Sequence, residues 1–167
     1  MPELTIAATR GAQPEPRCSI ARTLEVLGEK WTLLIVRDAI RGRTRFSEFR
    51  ESLHVSSDIL ADRLSTLVGA GIMERRSYRD DGARERFSYH LTESGQDLHV
   101  VLGAINAWGD KHRPSEFGPA SIYRRIESQA PVTVAFVDAS GRSLGAEEVE
   151  VVRGPGSEGA DAGLTKQ

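Results

Sequence analysis

Apolar positions along the chain fall into helical stripes interrupted by one hairpin pattern. Ile20, Leu24 and Leu27 stand at i, i+4, i+7 spacing, which predicts a helix that starts near Cys18 or Ser19 and stops at Gly28. A second helix, about Lys30 to Ile40, is apolar nearly all round (Trp31, Leu33, Leu34, Ile35, Val36, Ile40), so it belongs at the centre of a core. Gly42 ends it. A short amphipathic stretch, about Phe46 to Leu53, and a further helix after Ser56-Ser57 with Leu60, Leu64, Leu67 and Val68 on one face are joined by a turn at His54-Val55. Beyond the Gly69-Ala70-Gly71 stop, the period changes. Strands are expected at about Ile72–Tyr78 and Arg84–Leu91, folded back at the Asp80-Asp81-Gly82 turn signal. Thr92 then caps a long helix, roughly Glu93 to Lys111, with the stripe Leu98, Val101, Leu102, Ile105 and Trp108.

The order helix, helix-turn-helix, two-stranded ribbon, helix predicts an α+β, mostly α fold: a winged helix-turn-helix with dimerising terminal helices and a small C-terminal β extension. The expected segments are a flexible N-terminal arm (1–16), the winged-helix DNA-binding and dimerisation domain (17–113), a β-rich extension (114–153) and a disordered Gly/Ser/Ala/Glu tail (154–167). Within the extension, Val132–Asp138 and Glu147–Arg153 read as two strands joined around Ser140-Gly141. Val132, Val134, Phe136, Val149 and Val151 alternate as a buried face would.

Net charge over the 167 residues is only −2, so its distribution matters more than its sum. Arginines 41, 43, 45, 75, 76, 79, 84 and 86 flank the helix-turn-helix, whereas acidic residues gather after Asp138. A basic middle with an acidic appendage fits a nucleic-acid-binding core. The single cysteine, Cys18, excludes an intrachain disulfide. No apolar run approaches the roughly 20 residues of a membrane span, and no signal-peptide core is visible, so a cytoplasmic protein without membrane contact is expected. The four histidines (54, 90, 99, 112) show no metal-ligand spacing. With no Gly-rich phosphate loop or activated-serine motif either, neither a cofactor nor catalysis is expected.

The run from Cys18 to Ile35 (CSIARTLEVLGEKWTLLI) strongly resembles the opening of HxlR-type bacterial regulators, a branch near the MarR regulators. Arg45-Phe46-Ser47-Glu48-Phe49, Ile59-Leu60-Ala61-Asp62-Arg63-Leu64, Gly71-Ile72-Met73-Glu74-Arg75-Arg76, Tyr89-His90-Leu91-Thr92 with Gly95, and Trp108-Gly109 continue the resemblance in register to about residue 112. It implies a homodimeric transcription factor on a pseudo-palindromic operator, open to modulation by a small-molecule effector. Relatives of similar length often carry paired cysteines after the last helix, as in a small zinc ribbon. Here the stretch 123–155 has none, so if it is a relic of such a ribbon it must hold together by packing alone.

On the helix wheel Asp58, Ala61, Asp62 and Ser65 oppose the Leu60/Leu64 stripe, and Ser57 and Asp58 stand in the first turn, directly after Ser56. Ser56, Ser57, Asp58 and Ala61 are therefore the candidates for the groove. Asp58 can equally complement the helix N-terminus. Arg63 lies at the edge of the apolar stripe, suited to phosphate or to an internal ion pair. Arg43 and Arg45 precede a helix N-terminus, where phosphate would meet both. Arg79, Arg84 and Arg86 border the ribbon tip, and alternation places Arg84 and Arg86 on one face. Ile20, Leu24, Leu98, Val101, Ile105 and Trp108 are the expected dimer contacts. Cys18, at a helix start beside Arg17 and Arg22, suits either a thiol-based redox sensor or a small structural residue.

Overall fold

The computed structural model of the protein describes residues 18–79 and 84–154. The expected arm, the hairpin tip at 80–83 and nearly all of the expected tail lie outside the described residues. The elements run α1 (Ser19–Leu27), α2 (Lys30–Ile40), α3 (Phe46–Leu53), α4 (Ser57–Gly69), β1 (Met73–Tyr78), β2 (Arg86–Leu91), α5 (Glu93–His112), then the short strands β3 (Phe136–Val137) and β4 (Ser143–Leu144) and a 3-10 turn at Ala146–Glu148. This is the winged helix-turn-helix architecture that the apolar periodicity predicts.

The core is one cluster built from α2, α3, α4 and the base of the ribbon. Ile35, Val36, Phe49, Leu60, Leu64 and Leu67 have no exposed surface. They stand at helical spacing, so burying that stripe fixes the rotation of each helix about its axis. Truncating any of them costs about 2–5 kcal/mol. Two backbone features set the turns. His54 takes the left-handed conformation (φ 50°) that stops α3, and Val55 behind it is buried. Ser56 then caps α4, its hydroxyl accepting from the Ile59 N–H at 3.4 Å.

β1 and β2 pair antiparallel, with Tyr78 opposite Arg86 and Met73 opposite Leu91. Both strands start later than the sequence suggests, at Met73 and at Arg86. A third short edge joins them: Arg45 bridges to Ser88, and the Tyr89 N–H donates to the Thr44 carbonyl at 2.7 Å. The segment entering α3 is thus sewn to the hairpin. At the base, Thr92 donates its hydroxyl to the Gly71 carbonyl (2.6 Å) and accepts from the Gly95 N–H (3.3 Å). A Cβ at position 95 would collide with the Ile72 carbonyl oxygen, so glycine lets the first turn of α5 seat against the start of β1.

The extension departs from expectation. Its strands shrink to the two-residue pair Phe136–Val137 and Ser143–Leu144, and 149–153 has no regular structure in place of the expected Glu147–Arg153 strand. The cause is local. The Asp138 carboxylate accepts from the Ser140 N–H, the Ser140 hydroxyl and the Arg142 N–H, and this closes the chain into a tight turn immediately after Val137. Val132, Val134, Phe136 and Val151 are all exposed, so the expected buried alternating face does not form. What docks the extension is a different set of contacts. Arg41 donates to the Ser121 hydroxyl at 2.6 Å, Asn106 donates to the Ser121 carbonyl at 3.4 Å, and Gly103 of α5 leaves room for Val134, whose Cγ2 would lie 2.8 Å from a Cβ there.

Candidate nucleic-acid interface

α4 offers one exposed row opposite its buried stripe. Ser57, Asp58, Ala61, Asp62 and Ser65 are all exposed, while Leu60, Leu64 and Leu67 are buried. Ser56 is not free for other contacts in the same way, because its hydroxyl already serves the cap. Arg63 sits half-buried on the far side of the helix, ion-paired with Asp62 at 3.4 Å. That ion pair is with an exposed carboxylate, so it leaves both roles open to Arg63.

Two arginines ahead of α3 hold that helix in place. Arg43 reaches the Asp38 carboxylate at 3.5 Å, and Arg37 donates to the same oxygen at 2.9 Å. Asp38 is fully buried, and its second oxygen, Oδ2, has no hydrogen bond among the described residues. Arg45 stacks its guanidinium over the Tyr78 ring at 4.8 Å, tying the start of α3 to the ribbon. Glu48 reaches back from the first turn of α3 to accept from the N–H groups of Arg45 (2.9 Å) and Thr44 (2.8 Å). Those two backbone bonds hold the Glu48 carboxyl below the usual range. The Arg45 and Arg43 charges assist, and desolvation opposes them only in part.

The ribbon supplies the remaining cations. Arg79, Arg84 and Arg86 are exposed, but Arg84 precedes the paired part of β2, so strand alternation does not set its direction relative to Arg86. Arg75 stacks on Phe87 at 4.1 Å, and Arg76 pairs with Glu74. Between ribbon and α3 opens a cleft of about 380 Å³ lined by Phe46, Ser47, Tyr78, Arg86, Phe87 and Tyr89.

Two contributors are absent from the sequence-level candidates. Arg50, in the last turn of α3, is exposed and donates to the Ser57 hydroxyl at 3.4 Å, placing a cation beside the first turn of α4. Its signal was its place immediately before the turn. Asp38 was legible as an acid inside an otherwise apolar helix, with arginines at 37 and 43 to answer it.

Of the expected dimer residues, Ile20, Leu24, Val101, Ile105 and Trp108 are exposed. Leu98 is the exception. It is half-buried against the protomer's own core, because at its level α5 still packs on the interior. Cys18 is exposed, as a free thiol at the N-cap of α1. Among the described residues no helix is long and apolar enough to cross a membrane.

The family model described as HxlR-like helix-turn-helix matches residues 26–117. The HTH-type transcriptional regulator Rv3095 of Mycobacterium tuberculosis is 41% identical over 101 residues, which is 60% of this chain and 63% of Rv3095. The match therefore spans less than two thirds of that relative's length. A crystal structure of PA1607, described as a transcription factor, superposes with a TM-score of 0.72 at 35% identity, covering 84% of this chain and 97% of PA1607. That coverage is more than the five-helix core can account for, so part of the extension is shared. The reduced form of the redox regulator HypR superposes with a TM-score of 0.52 at 30% identity over 57% of this chain and 94% of HypR. These relatives are regulators, not enzymes.

Proposed function

Since the chain belongs to the HxlR-like helix-turn-helix family, we propose that it is a sequence-specific DNA-binding regulator of transcription, acting as a homodimer on a pseudo-palindromic operator and modulated by a small effector. The observation that carries this reading is the exposed row Ser57, Asp58, Ala61 and Ser65 on α4, set beside a ribbon that bears Arg79, Arg84 and Arg86. A helix row of this kind suits the major groove. Ser57 and Asp58 lead it, and Asp58 can accept from a cytosine amino group. The ribbon and Arg43, Arg45 and Arg50 then meet the phosphate tracks on either side.

The exposed apolar residues of α1 and α5 support the dimer. Ile20 and Leu24 stand on one face of α1, and Val101, Ile105 and Trp108 on one face of α5, all of them exposed. Two copies related by a two-fold axis would space their α4 helices by one helical turn of DNA, on the order of 34–36 Å. Retardation of promoter DNA from the gene's own locus tests the reading. The expected outcome is a specific complex of two chains per site. Binding no tighter than to random DNA of equal length would leave a winged-helix adaptor without DNA binding.

A second reading has one observation in its favour: the Cys18 thiol is free and exposed next to the same α1 surface. With HypR among the similar folds, a thiol-based response is a concrete alternative to a ligand. Cys18→Ser separates the two. If the thiol is the sensor, wild-type DNA affinity falls on treatment with diamide and the variant's does not.

A further inference from the structure

The effector in the reading above needs a site, and the extension builds one. We infer that the cavity between α5 and residues 119–134 binds a small aromatic amine, and that Arg41 carries its occupancy to the helix-turn-helix. This inference rests on the regulatory reading only for its second half.

α5 presents two opposite faces. Val101, Ile105 and Trp108 point one way, and Gly103, Asn106, Ala107 and Asp110 the other, about half a turn round the helix. The extension covers the second face only in part, and a half-open cleft of about 260 Å³ remains. Two fused rings and a short side chain can lie in a cleft of this volume with one edge left in water. Its walls are apolar at Gly103, Ala107, Tyr123, Val132 and Val134, which suits a flat ring.

The polar end decides the ligand's charge. Asp110 is the sole charged residue in the lining. Asn106 spends its amide N–H groups on Asp110 Oδ2 (2.8 Å) and on the Ser121 carbonyl (3.4 Å). What this pair still offers is acceptor oxygens: the Asn106 carbonyl and the second oxygen of Asp110. Acceptors beside a carboxylate call for a donor with positive charge, hence an ammonium group.

Residues 121–123 form one wall, and that wall is backed by space. Ser121, Ile122 and Tyr123 also line a second cavity of about 230 Å³ on their other side, with Arg37, Arg41 and His99. A segment flanked by two open clefts has few side-chain contacts on either side to resist displacement. It is held mainly by hydrogen bonds, of which the 2.6 Å bond from Arg41 to Ser121 is the shortest. Arg41 caps α2, two residues before Arg43 and four before Arg45. A ligand that pushes Ser121 away moves the anchor of the segment that positions α3. Binding and DNA affinity are coupled to the extent that the ligand prefers one wall position.

Calorimetric titration of the full chain tests this, with tryptamine as the probe and two shape analogues: neutral indole-3-ethanol and anionic indole-3-acetate. Tryptamine is expected to bind about tenfold more tightly than the alcohol, the size of one charge-assisted hydrogen bond, and the acetate not at all. Asp110→Asn should bring tryptamine down to the alcohol's affinity with melting temperature unchanged. Ala107→Leu fills the cleft and should abolish binding of tryptamine and of the alcohol. Equal binding of the three probes, no binding, or full binding to Ala107→Leu would overturn the site. In the second arm, saturating tryptamine should change DNA affinity of the wild type, while Arg41→Met, which lies outside the lining and cannot bond Ser121, binds tryptamine but shows no change. An unchanged wild type would overturn the relay. Should the protein bind no DNA at all, the titration still decides the site, and only the regulatory reading fails.

Discussion

Trp108→Ala separates an intermolecular role from an intramolecular one. The indole is 60% exposed, and its one ring contact among the described residues is His112 on the same helix, 5.2 Å away. Removing it should therefore leave the protomer's core intact. A fully covered tryptophan buries about 150–250 Å². The exposed share leaves on the order of 100–150 Å² for a partner to cover. At about 25 cal/mol per Å² that is roughly 3 kcal/mol per protomer, and two-fold symmetry counts it twice. Incomplete coverage and the cost of ordering the side chain reduce this to about 2–4 kcal/mol for the dimer. The dimer dissociation constant should rise by a factor of about 30 to 1,000. Sedimentation velocity over a concentration series measures it, with circular dichroism at the same concentrations to confirm that the helices persist. A dissociation constant within threefold of wild type would place the interface elsewhere. Loss of helical signal at all concentrations would show instead that Trp108 supports the protomer.

Three further outcomes follow from the local geometry. Gly95→Ala forces a methyl against the Ile72 carbonyl and Leu91, so it should destabilise the fold by about 1–3 kcal/mol, read as a lower denaturant midpoint with an unchanged slope. The Glu48 carboxyl is held below its unfolded-state range by the N–H groups of Arg45 and Thr44, so its stabilising contribution is full above the unfolded value and is lost as pH falls through the folded one. Glu48→Gln should accordingly flatten the acid limb of the melting curve below about pH 5, and identical acid limbs would contradict this. Arg43→Ala removes a partner of the buried Asp38, so it should lower stability as well as any DNA affinity, whereas Arg86→Ala, on the exposed ribbon, should leave the melting temperature within about 2 °C of wild type.

The helices were legible because each carries an uninterrupted apolar stripe and a clear stop. α1 ends before Gly28 and α5 begins after the Thr92 cap, as the periodicity and cap signals predict. The extension was not legible, because its valines alternate like strand residues while the Asp138–Arg142 turn ends the strand at Phe136–Val137. Period-two patterning reports what a strand would bury, not whether a partner sheet exists to bury it against. Around the candidate interface, sequence spacing located the exposed row of α4 but could not show that Ser56 is spent on its cap or that Arg63 turns back to Asp62. Nor could spacing bring Arg41 to Ser121 or Arg50 to Ser57, since such contacts depend on how separate elements dock.

In the proposed docking, α4 reads bases while the ribbon grips the backbone. Fluorescence anisotropy with promoter DNA from the gene's own locus and its single-base variants, at several salt concentrations, tests it most directly on Asp58→Ala and Arg86→Ala. Asp58→Ala should change base preference at one position per half-site, with a discrimination change of about 1–3 kcal/mol. Arg86→Ala should weaken all variants by the same factor and reduce the salt slope by about one. If Asp58→Ala shifts every variant equally and Arg86→Ala alters base preference, helix and ribbon lie on the duplex the other way round from this account.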